Sequence, residues 1–291
     1  MLRSISFFGI MALGMTFALS LGEIDISVGA IFYLVGVATS QLMVASVDPI
    51  VAALLGVVLG TVLGAANGAA SLLLGVPLII VSLGALPLYR GLGLILSNAR
   101  DTVVTDTSSL FFEVTSHKLF GILPMPAVVF LVLVVVMHIL LSRTHFGYRV
   151  QATGSNPKAA RLAGIPVDRT RLQVSALLGA SCGIAGVLFV GYFRAVDSSV
   201  GTGFELPVIS AVVIGGTSIL GGSGTILGTF IGVLIIAAIS SGIVHLGVPS
   251  TYSGFVTGAV ILVAIALDRI VRRRQAARLA ATRRKERSEQ T

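Results

Sequence analysis

The chain has 291 residues, of which 55% are hydrophobic and 11% charged, and its mean hydropathy is +1.00. Soluble domains carry roughly 25% charged residues, so this composition excludes an ordinary soluble protein. It predicts an all-α membrane protein, because only helices and closed barrels satisfy their backbone polar groups in lipid. The single cysteine, Cys182, lies in an apolar run, which excludes a disulfide framework and a thiolate metal site.

Apolar stretches that are long enough to cross the bilayer recur along the chain. About 17–25 apolar residues span the hydrocarbon as a helix, and the sequence predicts a single transmembrane domain over 1–291 with about nine such helices. The glycine content of the seventh makes half-helices an option around 205–232. The predicted spans are 4–22, 28–46, 50–74, 76–97, 124–142, 172–193, 205–222, 224–245 and 253–268.

Lys and Arg concentrate in two segments, the connection 143–171 with six and the tail 269–291 with nine. Because cytoplasmic segments carry an excess of these residues, we assign both to the cytoplasm, the first as a coupling loop and the second as a basic tail. Four predicted spans lie between these two segments, and an even number of crossings returns the chain to the same side of the membrane. The same bias explains the net charge of +8, so we expect no nucleic-acid partner. Counting back places Met1 outside, from which we expect that a first helix is missing.

Glycines recur at every fourth position in two predicted helices. Small residues at this spacing form a smooth stripe that lets another helix approach closely. We expect helix packing at both stripes, with a wall of the translocation path as the alternative. The stripes are Gly56, Gly60, Gly64 and Gly68, and Gly224, Gly228 and Gly232.

The stretch TGSNPKAARLAGIP, residues 153–166, contains residues that are typical of the start and the end of a short helix. Asn156 suits the N-cap, Pro157 the first helical position, and Gly164 the position after the end. The sequence therefore predicts a helix over 157–163, roughly 10 Å long at 1.5 Å per residue. A helix this short is marginal alone, so we expect it to dock either on its own bundle and lipid or on a cytoplasmic partner.

Catalytic signatures are sparse. The sequence has no G-x-x-x-x-G-K-[ST] phosphate loop, no HExxH motif and no Cys/His cluster, so we expect no nucleotide or metal site in this chain. Residues 179–183 match the G-x-S-x-G pattern of serine hydrolases, with His138 and His245 as conceivable partners of Ser181. Gly and Ser are common in membrane helices, which favours packing.

The charged groups near the predicted spans are few. Asp25 or Ser27 suits the start of the helix from Val28, where free N–H groups need acceptors. Alternatively, Asp25 lines a substrate route or pairs with Arg90. Ionisable groups within membranes are costly and usually functional, and an ion-coupled secondary carrier would more often place several carboxylates in mid-helix.

Six segments in order resemble the inner-membrane permease subunits of ABC importers of the ribose/monosaccharide class. They are IMALGMTF (10–17), LGEIDISVGA (21–30), LPLYRGLG (86–93), FGYRVQATGSNPKAARLAGIPV (146–167), TGFELPVISAVVIGGTSILGGSGTILGTFIG (202–232) and GVPSTYSGFVTGAVILVAIALD (247–268). The resemblance begins after the first helix of the ten-helix family fold. A misassigned start and a natural variant are both open explanations. Glu23 departs from the family pattern by adding a second acid before Asp25.

The resemblance implies a multi-pass transport subunit of the bacterial inner membrane that is not itself an enzyme. It implies a second permease, as a homo- or heterodimer, and a periplasmic or lipid-anchored sugar-binding protein. It also implies cytoplasmic ATPase subunits that bind ATP and Mg, with no cofactor in this chain. The family's coupling segment matches 154–165 here, and the expected coupling residues are Asn156, Pro157, Lys158, Ala159, Ala160, Arg161, Leu162 and Gly164.

Hydrogen-bonding side chains and irregular backbone within the spans are the candidates for a sugar path. The expected path residues are Asp25, Asn67, Tyr89, Arg90, Asn98, Gly216, Thr217 and Ser218. A pentose or hexose is the expected substrate. A nucleoside, a furanone-type signal, and an ion-coupled secondary carrier stay open as alternatives.

Overall fold

A computed structural model describes residues 2–245 together with residues 252, 255, 258 and 259. The described part contains eleven helices and four two-residue strands. In chain order they are α1 (Leu2–Ser20), α2 (Val28–Val44), α3 (Pro49–Leu74), α4 (Leu78–Leu96), β1 (Thr102–Val103), α5 (Leu110–Ser116), β2 (Lys118–Leu119), β3 (Leu123–Pro124), α6 (Met125–Ser142), α7 (His145–Ser155), α8 (Pro157–Leu162), α9 (Val167–Phe193), β4 (Ala195–Val196), α10 (Glu205–Ile214) and α11 (Ile226–His245). Strand β1 pairs antiparallel with β4, and β2 with β3.

The prediction of an all-α polytopic membrane protein is confirmed. Among the described residues, α3, α4, α6 and α9 are long and apolar enough to span a bilayer. Shorter apolar stretches lie in α1 (Ile5–Ser20), α2, α10 and α11 (Ile226–Gly242). The ninth predicted span, 253–268, lies outside the described residues except for three single positions, and the tail 269–291 lies wholly outside them.

One predicted span is wrong in its extent. The stretch 205–222 contains a helix of only ten residues, α10, about 15 Å long at 1.5 Å per residue. The helix ends before Gly215, and Gly216 adopts φ +85, a left-handed conformation that favours glycine. Irregular backbone then continues to the start of α11, so α10 has the length of a half-helix, as the glycine content of this region allowed.

Two polar helices were not predicted. Helix α7 occupies 145–155 in what the sequence indicated as a polar connection, and Thr144 Oγ1 caps it by accepting from Gly147 N at 3.3 Å. Helix α5 lies between the predicted spans 76–97 and 124–142. Both escaped prediction because the search for spans relied on apolar length, which neither helix has.

Helices α3 and α9 approach each other through glycine, as the first stripe predicted. A Cβ on Gly60 would lie 2.6 Å from Gly179 O, and a Cβ on Gly64 would lie 2.7 Å from Gly179 Cα. These separations leave no room for a side chain, so the two backbones are in direct contact. The second stripe packs in the same way, with Gly228 against Gly215 and Gly232 against Ala211 of α10.

Contacts divide the chain into a compact unit up to Ala237 and a second unit from Ala238. In the first unit, the buried hydrophobic core is formed mainly by α1, α2, α9 and α10. Helices α3, α4 and α6 instead expose many large apolar side chains, among them Leu54, Leu83 and Val135. Exposed apolar bands of this kind suit contact with lipid or with another membrane helix.

The connections that alternate spans assign to the cytoplasm lie together in the structure. Arg171, at the start of α9, contacts both Glu23 in the α1–α2 connection and Ser71 near the end of α3. Gly222 N, in the α10–α11 connection, donates to Ser20 O at 2.9 Å. These contacts define one end of the bundle, called the coupling end below because it also carries α8.

The α3–α9 contact predicts a difference between two glycine substitutions. Gly64→Ala places a Cβ against Gly179, whereas Gly84→Ala on α4 meets nothing within 4 Å. Overpacking costs about 1–3 kcal/mol, while alanine favours a helix over glycine by about 1 kcal/mol. We expect Gly64→Ala to lower the unfolding midpoint and Gly84→Ala to keep or raise it.

The midpoint can be followed in detergent with a maleimide dye, because Cys182 is buried and reacts only when the bundle opens. Equal midpoints for the two variants contradict close helix contact at Gly64.

Candidate functional site

The short helix α8 lies at the coupling end with the caps that the sequence predicted. Asn156 Oδ1 accepts from Ala159 N at 3.0 Å, Pro157 occupies the first turn, and Gly164 follows with φ +80. Ala160 is buried, while Lys158, Ala159 and Arg161 are exposed. Leu162 is 91% exposed. The helix therefore rests on the bundle by one face and presents a mixed basic and apolar face outward.

An exposed ion pair connects α8 to the next helix. Arg161 Nη2 donates to Asp168 Oδ1 at 2.8 Å, and both side chains are more than half exposed. Exposed pairs contribute little to stability, about 0–1 kcal/mol. The pair therefore orients the outer face of α8 more than it stabilises the fold.

A cavity of about 780 Å³ opens beside α8 at the coupling end. Its walls come from the α1–α2 connection, the α3–α4 junction and the starts of α8 and α9, with Glu23, Ser71, Pro157, Arg161 and Arg171 among the lining residues. The cavity thus lies between α8 and the helices of the bundle.

A second ion pair, more deeply placed, forms one wall of this cavity. Arg171 Nε donates to Glu23 Oε1, and its Nη2 lies 3.4 Å from Ser71 Oγ. Glu23 is 11% exposed and Arg171 is 28% exposed. Burial raises the pKa of Glu23, while the neighbouring guanidinium of Arg171 lowers it, and the effect of burial is the larger. The Arg171 guanidinium therefore offsets part of the effect of burial on this carboxylate.

Three of the predicted path residues form one buried hydrogen-bonded cluster. Asn67 Nδ2 donates to Asp25 Oδ2 at 2.9 Å and to Ser27 Oγ at 2.9 Å. Tyr89 Oη donates to Asn67 Oδ1 at 2.8 Å. Asp25 and Asn67 are each 1% exposed. The cluster joins the α1–α2 connection to α3 and α4, and in this conformation it is closed to solvent. Its role in a substrate path stays a prediction.

Asp25 also forms a local turn, which corrects the predicted cap. Its Oδ1 accepts from Ser27 N at 2.8 Å and from Ser27 Oγ at 2.6 Å. Ser27 is the N-cap of α2 but makes no side-chain hydrogen bond to the helix. The same Asp-x-Ser turn recurs at Asp106 and at Asp197 in exposed loops. The Asp-x-Ser sequence therefore forms the same turn in all three places. The turn at Asp25 differs from the other two in being buried.

The alternative pairing of Asp25 with Arg90 is wrong. Arg90 donates to the backbone carbonyls of Ser198 and Val200 and to Thr202 Oγ1 at 2.6 Å. Its guanidinium carbon lies 4.1 Å from the centre of the Tyr33 ring, in a cation–π contact. Arg90 thus holds the irregular segment between β4 and α10, where backbone carbonyls need donors.

The remaining predicted path residues are not part of the Asp25 cluster. Asn98 is exposed beyond the end of α4 in a positive-φ conformation. Gly216 and Ser218 lie in the turn after α10, and Ser218 N donates to Ser223 O at 3.0 Å. Thr217 is buried in the same turn.

Ser181, the serine of the hydrolase-like pattern, packs inside α9. Its hydroxyl donates to Leu177 O at 3.0 Å. It also lies against Gly14 of α1, where an added Cβ would be 2.7 Å from Ser181 Oγ. This is the arrangement of a packed helix residue, since a serine nucleophile needs a base within hydrogen-bond reach.

Sequence reasoning missed Arg171, Ser82 and Thr202 as partners of the candidate groups. Ser82 Oγ accepts from Ile26 N at 3.1 Å, and so holds the connection next to Asp25. A search for charges near span ends could have found Arg171, because it directly precedes the predicted span 172–193.

A polytopic helical bundle with an exposed capped helix at one end, in a sequence without a phosphate loop, has the features of a membrane permease subunit. Comparison with known protein families identifies the family to which the chain belongs. A profile described as the branched-chain amino acid transport system / permease component matches residues 1–265. The chain belongs to this family, and its resemblance to permeases of monosaccharide-type ABC importers is confirmed.

Individual relatives agree with the family assignment. The chain is 39% identical over 269 residues to a ribose import permease of Bacillus subtilis, covering 92% of this chain and 83% of the relative. It is 33% identical over 261 residues to an autoinducer 2 import system permease of Yersinia pseudotuberculosis, with 88% and 78% covered. A probable ABC transporter permease of Sinorhizobium fredii is 36% identical over 268 residues, with 92% and 80% covered. Comparison with solved structures returned no significant match.

The buried cluster predicts a strong effect of removing its central amide. Asn67→Leu has a similar branched shape but leaves Asp25 with fewer donors, and an unsatisfied buried polar group costs about 1–3 kcal/mol. We expect a clearly lower unfolding midpoint in the thiol-reactivity assay.

Two further variants sharpen this test. Asp106→Asn changes the same turn in an exposed loop, and we expect it to have almost no effect. The double variant Asp25→Leu with Asn67→Leu should cost less than the sum of the single changes, because both partners are then apolar. Strict additivity would contradict the coupling between the two side chains.

Proposed function

We propose that this chain is the transmembrane subunit of an ABC importer that moves a monosaccharide across the bacterial inner membrane. ATP is bound and hydrolysed by separate ATPase subunits on the cytoplasmic side. A second permease chain completes the path, and a sugar-binding protein delivers the substrate from outside. The observation that carries the proposal is α8, a capped helix whose outward face includes a fully presented apolar side chain, Leu162.

The outer face of α8 suits a protein groove better than lipid. Lys158 and Arg161 flank Leu162, so an acidic rim with an apolar pocket would match it in charge and shape. A docked partner that moves α8 acts on one end of the bundle while substrate binds elsewhere. The two sites then share one conformational equilibrium, as coupling between distant sites requires.

Substrate class is proposed from the relatives and the polar groups of the bundle. The printed names of the relatives concern ribose and autoinducer 2. Sugar hydroxyls need hydrogen-bonding partners, and Asp25, Asn67 and Tyr89 offer acceptors and donors within one cluster. Because that cluster is closed here, we propose that it opens only when the bundle rearranges. A furanone-type signal or a nucleoside is the second candidate within the same class of importer.

Reconstituted uptake tests the function. The chain is co-expressed with an ATPase and a sugar-binding protein chosen from its own genome and is placed in liposomes of phosphatidylethanolamine and phosphatidylglycerol. We expect uptake of radiolabelled D-ribose that requires ATP and the ATPase, with competition by autoinducer 2 and by a nucleoside ranking the substrates. Uptake by the permease alone, driven by a proton or sodium gradient, identifies a secondary carrier instead.

The outer face of α8 predicts loss of coupling in a charge-reversed variant. Arg161→Glu with Leu162→Asp removes the apolar side chain and inverts the charge beside it. We expect the ATPase to be lost from the purified complex and ATP-dependent uptake to fall by about tenfold or more, as for central residues of an interface. Phe120→Asp is the matched control, because Phe120 is 90% exposed in the turn between β2 and β3. Unchanged ATPase association in the α8 variant excludes this helix as the contact.

A further inference from the structure

Three polar contacts follow one another from α8 into the bundle. Arg161 pairs with Asp168, at the start of α9. Arg171, three residues further on α9, pairs with Glu23. Two residues beyond Glu23, Asp25 is bound by Asn67 of α3. The order of the contacts is α8, α9, the α1–α2 connection, and then α3 with α4.

From this order we propose that Glu23 and Arg171 form a joint that transmits movement of α8 to the buried Asp25 cluster. The inference rests on the proposed function, since it assumes that an ATPase moves α8. It assigns a positioning role to two residues that the family resemblance left without one.

Arg171 connects α9 to two other segments of the bundle, and for this reason we describe its pair with Glu23 as a joint. Residues 168 and 171 are three apart on a helix, so their side chains share one face of α9. Arg171 bonds to the α1–α2 connection through Glu23 and approaches the end of α3 through Ser71. A rotation of the first turns of α9 therefore displaces two other segments together. No other described salt bridge joins α9 to those segments, since the second pair in the described residues is Arg161 with Asp168.

The energetics of the pair favour a mechanical role over a purely stabilising one. A partly buried ion pair loses hydration, and well-packed apolar residues in its place are often as stable or more stable. Breaking one partner, however, leaves a buried charge without compensation. Such a contact fixes two segments relative to each other without adding much net stability.

The cavity beside the pair provides the space that movement needs. It separates α8 from the α3–α4 junction and includes Glu23, Arg171 and Pro157 in its walls. Packed helix contacts such as α3 with α9 leave no such room. Displacement of α8 is therefore accommodated at this end, while the glycine contacts of the bundle stay intact.

The test compares Glu23→Gln, Arg171→Gln and the exchanged pair Glu23→Arg with Arg171→Glu. Each is assembled with the ATPase and binding protein in the same liposomes, and D-ribose uptake and ATP hydrolysis are measured together. We expect each single variant to hydrolyse ATP while importing about tenfold less D-ribose per ATP, within the range of coupling between distant sites. The exchanged pair should recover most of that ratio. Glu113→Gln is the matched control, because Glu113 is exposed on α5.

The outcomes separate this inference from the proposed function. If the unmodified complex shows no ATP-driven uptake of D-ribose, autoinducer 2 or nucleoside, the proposed function fails. If the unmodified complex works and the single variants keep a normal ratio of uptake to hydrolysis, the joint is overturned. A fall in thermal stability with a parallel loss of uptake and hydrolysis, not restored by the exchanged pair, also overturns it, since that is the result of a merely structural pair.

Discussion

The direct backbone contact between α3 and α9 is the constraint on which the rest of the bundle depends. Glycine or serine occupies both sides of the contact, so neither helix has a side chain to hold the other away. Helix α9 also packs against α1 and α2. The part of α9 from Ser175 onward is held in this way, whereas its first turns, which carry Asp168 and Arg171, precede these contacts. Movement at the coupling end is therefore confined to contacts outside the glycine stripe.

Asp25, Asn67 and Arg90 are each matched by specific hydrogen-bond partners. Asp25 accepts hydrogen bonds from Ser27 and Asn67, and Arg90 donates to backbone carbonyls of an irregular segment. An unmatched polar group in a membrane protein costs several kcal/mol. These two clusters therefore hold different helices in register, and opening either one requires new partners. Water and the hydroxyls of a sugar are chemically suited to be those partners.

The caps of α8 and the glycine contacts were predicted from the sequence, and long-range partners were not. The caps of α8 depend on residues within one or two turns, so Asn156, Pro157 and Gly164 indicated them correctly. The close helix contacts at the two glycine stripes were also predicted, because residues four apart lie on one face of a helix. The partner of Glu23 is 148 residues away, and no spacing rule connects such positions. The mistaken Asp25–Arg90 pairing has the same origin, because opposite charges in neighbouring spans do not reveal which faces meet.

The α1–α2 connection also has a consequence for how the protein is made. Its two carboxylates are translated early, whereas Asn67 is 42 residues and Arg171 is 148 residues further along the chain. At about 5–20 residues per second, the ribosome needs roughly 7–30 s after Glu23 to reach Arg171. Until Arg171 is synthesised, Glu23 lacks the partner that it has in the folded bundle. Docking of α9 supplies that partner, and α10 and α11 follow α9 along the chain.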